Sequence, residues 1–179
     1  VHTIILDETN VTDEGLKALS GVHTIGLLFC KLITDEGIKA LSGVHEIDLE
    51  ETSVTDEGLK SLAGVHSINL DYCSSITDEG VTELAGVHTI SLKETNITYK
   101  GFKALAGVHS ISLENSLITD EGIKALYGVH TIALEGTKVT DDSLKLLADS
   151  VHVICLNSCD LITNEGIKLL AGVHTVNLS

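Results

Sequence analysis

The 179-residue sequence predicts an α/β solenoid, a curved right-handed coil with a parallel β-sheet on its concave face and short helices on its convex face. Three observations predict it. The pair Val-His recurs nine times at a spacing of 21 or 22 residues and accounts for every histidine in the chain. Each complete interval carries Thr-Asp-Glu-Gly or a close variant at the same place, as in Thr34 to Gly37 and Thr55 to Gly58. The composition is narrow, with 43% apolar residues, 3% aromatic residues and no Pro, Met or Trp, as repetition of one unit requires.

Cutting at each Val-His gives eight units starting at Val1, Val22, Val44, Val65, Val87, Val108, Val129 and Val151, plus a ninth strand at 173–179. No linker separates them, so residues 1–179 read as a single array. Within a unit, the segment Glu46-Ile47-Asp48-Leu49-Glu50 alternates polar and apolar residues, the period of a strand with one buried face. Thr55 then suits a helix N-cap, and Asp56 and Glu57 sit where the positive end of the helix dipole favours acids. Leu59 and Leu62, three apart, share one face of a helix expected to run about two turns. Gly64 supplies the left-handed residue that closes it. Neither element can bury its apolar side alone, so the units must stack. Strands pack ~4.8 Å apart and helices ~8–10 Å apart, which curves the strand face inward.

These residues resemble the leucine-rich repeats, in particular the cysteine-containing subclass. Leu28 to Gly37 (Leu-Phe-Cys-Lys-Leu-Ile-Thr-Asp-Glu-Gly) and Asp71 to Gly80 (Asp-Tyr-Cys-Ser-Ser-Ile-Thr-Asp-Glu-Gly) carry the subclass motif, and the resemblance covers the whole chain. The segment before each strand is shortened to Gly-Val-His, and Val replaces Leu at the first repeat position. The resemblance implies a horseshoe fold and a ninth position whose side chain turns inward to backbone groups of neighbouring loops. That position is held by Thr9, Cys30, Thr52, Cys73, Thr95, Ser116, Thr137 and Cys159. Loop length supports the register: two residues separate a ninth-position Cys from the next Ile, whereas only one follows a Thr or Ser.

Stacking also bears on the thiols. Cys30 and Cys73 lie two units apart, ~10 Å and beyond the ~7 Å reach of a disulfide, while Cys155 and Cys159 lie four positions apart along extended chain. All four cysteines are expected to be free, which fits a cytoplasmic, reducing location. No zinc-type Cys spacing occurs, and no cofactor is expected. The sequons at Asn10 and Asn96 arise wherever Asn precedes the repeat's Ile/Val-Thr. The histidines should form a column with a repeat of ~5 Å, stacked ring on ring, each with a ring nitrogen bonded to a carbonyl. No carboxylate or thiol shares their repeat position to complete a tetrahedral set, so no metal site is expected.

Charge bounds the function. The chain has 26 acidic residues against 11 basic ones, all Lys, for a net charge of −15, which argues against nucleic-acid binding. No apolar run approaches the ~20 residues of a membrane span, and Val1 opens no signal-like segment. Half of the 26 acids belong to the helix starts and are accounted for by the dipole. The others concentrate at outward positions three, five, seven and eight of the strand segment. Candidate partner-binding residues there are Leu28, Phe29, Glu46, Asp48, Glu50, Asp71, Tyr72, Lys93, Glu114 and Glu135. A carboxylate field beside exposed aromatics suits a basic protein partner. No Ser, His and Asp set is singled out from the repeat pattern, so no enzyme is expected. The leading expectation is a protein-interaction scaffold. Self-assembly through end-to-end contacts is an alternative. The resemblance implies another, the substrate-recognition segment of an F-box-type ubiquitin ligase.

Overall fold

The structure, a computed structural model, describes residues 2–178. Nine strands among the described residues form one open sheet in strict sequence order. They are β1 (Thr3–Ile5), β2 (Thr24–Gly26), β3 (Glu46–Asp48), β4 (Ser67–Asn69), β5 (Thr89–Ser91), β6 (Ser110–Ser112), β7 (Thr131–Ala133), β8 (Val153–Cys155) and β9 (Thr175–Asn177). All pairs are parallel, and equivalent residues face each other, as Ile25, Ile47 and Ile68 do. Eight helices alternate with them: α1 (Asp13–Lys17), α2 (Asp35–Lys39), α3 (Asp56–Leu59), α4 (Asp78–Thr82), α5 (Tyr99–Ala104), α6 (Asp120–Ala125), α7 (Asp141–Leu147) and α8 (Asn164–Leu169). Each parallel crossover carries its helix on the convex side, so the molecule is a leucine-rich-repeat-type solenoid.

The helices have four to seven residues rather than two full turns. A short unit leaves little chain for them, and α3 tightens into a 3₁₀ turn at Lys60–Leu62. Their stability must come from packing, because isolated helices of this length do not persist in water.

Each unit sends about six aliphatic side chains inward. In the third these are Val44, Ile47, Leu49, Val54, Leu59 and Leu62, all 4% exposed or less. Burial at ~1.5–3 kcal/mol per side chain is realised only when the next unit covers it, so stability is a property of the stack.

The strands stop after three residues for a local reason. Position eight adopts the left-handed backbone in seven units even without glycine, with φ between 51° and 62° at Glu8, Phe29, Glu51, Tyr72, Glu94, Asn115 and Ser158. This turn aims the amide of position eight at the carbonyl of position seven in the following unit, as Phe29 N–H donates to Glu50 at 2.9 Å. The lateral ladder therefore continues past the strand while the chain turns away.

A second lateral ladder runs along the helix starts. The first Asp of each Thr-Asp-Glu-Gly accepts the backbone N–H and the hydroxyl of the next unit's Thr: Asp13 with Thr34, Asp35 with Thr55, Asp56 with Thr77, Asp78 with Thr98, Asp120 with Thr140 and Asp141 with Thr163. The same carboxylate explains the motif's glycine. A Cβ at Gly58 would lie 2.7 Å from the Asp35 carboxylate oxygen and 2.6 Å from the Val54 side chain. In the seventh unit Ser143 replaces that glycine and its hydroxyl donates to the Asp120 carboxylate. Burial pushes the Asp120 pKa up, but the bonds from Ser143 and Thr140 outweigh it and hold the carboxyl below its usual range.

Candidate functional site

The strands present positions three and five to the concave side, where they line a trough of about 450 Å³. Its floor changes character along the array. Asp7, Glu46 and Asp48 lie at the amino-terminal end; Ser91, Ser112 and Ala133 continue it with small side chains. Among the ten predicted partner-binding residues, Glu46 and Asp48 line the trough. Leu28, Phe29, Glu50, Asp71, Tyr72, Lys93, Glu114 and Glu135 occupy positions seven and eight and follow the strands into the turn, so they form a rim beside it. Leu28 is half-buried there.

The carboxylates are held in place by bonds within and between units. Asp48 accepts the Glu50 N–H at 2.9 Å, Glu50 accepts from the Asn69 amide at 3.1 Å, and Asp71 accepts the Ser91 hydroxyl at 2.5 Å and the Lys93 N–H at 2.8 Å. Glu46 accepts from the Thr24 hydroxyl, and Glu135 from the Asn157 amide. Lys93 pairs with Glu114 at 3.0 Å, which raises the lysine pKa through that hydrogen bond and charge. No lysine pairs with Asp48, Glu50 or Asp71 among the described residues. Burial raises the pKa of both Asp48 and Glu50, and the charges of neighbouring aspartates add to the rise. Asp48, Glu50 and Asp71 thus form a fixed anionic patch without a lysine partner among the described residues.

Phe29 and Tyr72 are 45% and 39% exposed. Each carries a lysine: Lys31 Nζ lies 4.0 Å from the Phe29 ring centre and Lys93 Nζ lies 5.8 Å from that of Tyr72. The two aromatic rings are therefore partly covered by lysine side chains.

The ninth-position side chains divide by type. The Cys30, Cys73 and Cys159 thiols donate to the carbonyls of Leu6, Leu49 and Leu134 in the preceding unit at 3.0–3.1 Å. The hydroxyls of Thr9, Thr52, Thr95 and Thr137 donate to Leu6, Leu49, Leu92 and Leu134 within their own loop. At three boundaries the two converge on one carbonyl, with Thr and Cys side chains 3.8–3.9 Å apart. Ser116 is buried and accepts from the Ile118 N–H. All four cysteines are free, and burial raises the thiol pKa of Cys73, Cys155 and Cys159.

The histidines from His23 to His152 stack in one column, with adjacent ring centres 4.4–4.5 Å apart and planes 12–22° from parallel. In four of the rings a contact to the next side chain stands where a ring-to-carbonyl bond was expected. Nδ1 of His23, His88 and His130 lies 3.2–3.3 Å from the following Thr hydroxyl, and Nδ1 of His45 lies 3.7 Å from Glu46. It is the backbone that uses carbonyls here: the His23 carbonyl accepts N–H groups from both His45 and Glu46. Among the described residues, no three His, Cys, Asp or Glu side chains converge as a metal cage.

The aspartate ladder was missed by the sequence reasoning, which assigned those acids to the helix dipole. Its signal was available: Asp recurs at one position of the motif and is replaced by Tyr99 in the fifth unit and Asn164 in the eighth.

A family model described as Leucine Rich repeat matches residues 65–85. No curated protein matches the chain in sequence. Among solved structures, internalin C2 from Listeria monocytogenes str. 4b F2365 superposes with a TM-score of 0.76 at 19% identity, covering 100% of this chain and 81% of that one. TLR13 in its complex with ssRNA13 gives 0.71 at 15% identity, over 99% of this chain and 28% of that one. Mouse RP105 in its complex with MD-1 gives 0.66 at 16% identity, over 100% and 42%. At these identities the likeness is one of fold. No helix of the described residues is long and apolar enough to cross a membrane.

Proposed function

We propose that this leucine-rich-repeat-type solenoid is a non-enzymatic scaffold whose concave sheet binds a basic protein segment. The observation that carries this reading is the set of carboxylates at Glu46, Asp48, Glu50 and Asp71, fixed by hydrogen bonds within and between units and unopposed by any lysine there. Preorganised charge of one sign attracts a complementary partner and speeds its association at low salt. Partly buried carboxylates gain more from a cation than solvated ones do. Phe29 and Tyr72 on the rim supply apolar contact once Lys31 and Lys93 swing aside. The continuous sheet from β1 to β9 supports treating 1–179 as one array. Four unpaired cysteines fit a reducing compartment.

The test is selection from a randomised peptide library against the immobilised protein. Lys/Arg-rich sequences should be enriched, released by raised salt, and lost when Asp48→Asn, Glu50→Gln and Asp71→Asn are combined. Enrichment that is indifferent to salt and to these three changes would sink the proposal.

A further inference from the structure

We propose that Phe29 and Tyr72 are two cation subsites on the rim of the trough, closed in the free protein by the chain's own Lys31 and Lys93, which stand where arginine or lysine side chains of a partner bind. The inference rests on the basic-segment reading above and names how that segment is gripped. Lys31 Nζ lies 4.0 Å from the Phe29 ring centre, donates to the Glu51 carbonyl and pairs with the Glu51 carboxylate at 3.3 Å. Lys93 Nζ lies 5.8 Å from the Tyr72 ring centre and 3.0 Å from the Glu114 carboxylate. Each ammonium group is thus held between an aromatic ring and a carboxylate. A planar guanidinium suits that setting better still, because it stacks on the ring and offers a fork of donors to the carboxylate.

The repeat does not impose this pairing. Lys31 reaches Phe29 from position ten of the same unit, whereas Lys93 reaches Tyr72 from position seven of the next. Lys103 over Tyr99, by contrast, is an ordinary neighbour one helical turn away in α5. Position eight reads Glu8, Phe29, Glu51, Tyr72 and Glu94 along the rim, so each ring lies between two acids of adjacent units. Both rings stand on left-handed backbone, with φ of 62° and 59°, which bulky side chains rarely adopt and which Gly136 takes freely in the seventh unit. The lateral ladder imposes that turn but not an aromatic residue in it. With 45% and 39% of their surface exposed, the rings offset little of the strain by burial, and strain kept at an exposed ring points outward, to a ligand. The rings are two units apart, about 10 Å at one strand spacing per unit. A polyproline II segment turns once in three residues and rises ~3.1 Å per residue, so arginines at every third position face one side ~9.3 Å apart and reach both subsites.

The experiment titrates the whole chain with a synthetic peptide of repeated Arg-Pro-Pro triplets, followed by calorimetry and by the ring proton resonances of Phe29 and Tyr72. Lys31→Gln and Lys93→Gln together open both subsites and should tighten binding about tenfold, since an exposed cation on a ring is worth about two- to fivefold at each. Removing two lysines also makes the rim more negative, so the same pair of changes is made in a Phe29→Leu, Tyr72→Leu background. There the gain should fall below about threefold, the part that charge alone supplies. In the free protein, Lys31→Gln should shift the Phe29 ring resonances and Lys93→Gln those of Tyr72, a readout that serves if the leucine variant fails to fold by circular dichroism. Equal gains in the two backgrounds, or ring resonances that stay in place, would overturn the proposal while leaving salt-dependent peptide binding intact. Absence of peptide binding by every form would remove the basic-segment reading and this one with it, and unmoved calorimetric baselines beside shifted rings would identify that case.

Discussion

Asp78 holds Thr98 across a repeat boundary at two points, its Oδ1 accepting the threonine N–H at 2.7 Å and its Oδ2 accepting the hydroxyl at 2.5 Å. The hydroxyl, having donated, accepts the Lys100 N–H and so caps its own helix. The two roles travel together. Thr34, Thr55, Thr77, Thr98, Thr140 and Thr163 each have an upstream Asp and a side-chain cap, whereas Thr12 and Thr119 have neither. The aspartate therefore orients the cap of the next helix as well as tying two units together.

Removal of Asp56 should accordingly cost more than a surface acid normally does. Asp56→Ala deletes two charge-assisted bonds to Thr77 and loosens its cap, an expected loss of about 2 kcal/mol. Asp56→Asn keeps one acceptor and should lose less. Urea unfolding would rank the three proteins, and equal midpoints for alanine and wild type would show the ladder to be energetically idle.

The fifth unit tests the converse. Tyr99 replaces the ladder aspartate, and the Phe102 ring comes within 3.1 Å of where a Cβ at Gly122 would lie, in the space an Asp carboxylate fills elsewhere. Thr119 consequently lacks both bonds. Its amide should exchange faster with solvent than those of Thr98 and Thr140, and Tyr99→Asp should slow it while adding about 1 kcal/mol of stability. Hydrogen exchange read at Thr119 in both proteins decides the matter.

The fold was legible because period, strand alternation and turn residues all agree, and each repeated eight times. Lateral contacts were not. A carboxylate that reaches 20 to 22 residues ahead, as Asp78 does to Thr98 and Asp141 to Thr163, looks in one unit like an ordinary helix-start acid. Strand length was hidden for a related reason: nothing in Glu8, Phe29 or Tyr72 as residue types announces a left-handed backbone, which the neighbouring unit's carbonyl imposes. Hence Glu46 and Asp48 line the trough with Asp7, while Glu50, Asp71, Glu114 and Glu135 follow the chain into the turn beside it.

Thiol chemistry should single out one cysteine. Cys155 is half-buried on the concave floor, whereas Cys30, Cys73 and Cys159 are at most 8% exposed and donate to carbonyls. An aromatic disulfide reagent should modify one thiol in the folded protein, slowly because burial raises the Cys155 pKa, and all four after unfolding. Peptide mapping that found Cys30 or Cys73 modified first would contradict the buried ladder.

Acid should weaken the stack, and the sign follows from the rings. Burial first and the neighbouring imidazoles second lower the pKa of His88 and His130. The folded chain thus binds fewer protons at these sites than the unfolded chain, so their contribution is fully present above about pH 6.5 and is lost as pH falls through the lowered values. Asp48 and Glu50, whose pKa values burial raises, act in the opposite sense but only near the carboxylate range, about pH 4–5. The melting temperature should therefore hold from about pH 8 to 7 and decline from about pH 6.5 to 5. Replacing His45, His88 and His130 by Gln separates the remaining rings and should flatten that decline, because imidazolium charges one unit apart are then interrupted by neutral side chains. Thermal melts of the two proteins across this range supply the check, and parallel curves would place the acid sensitivity outside the column.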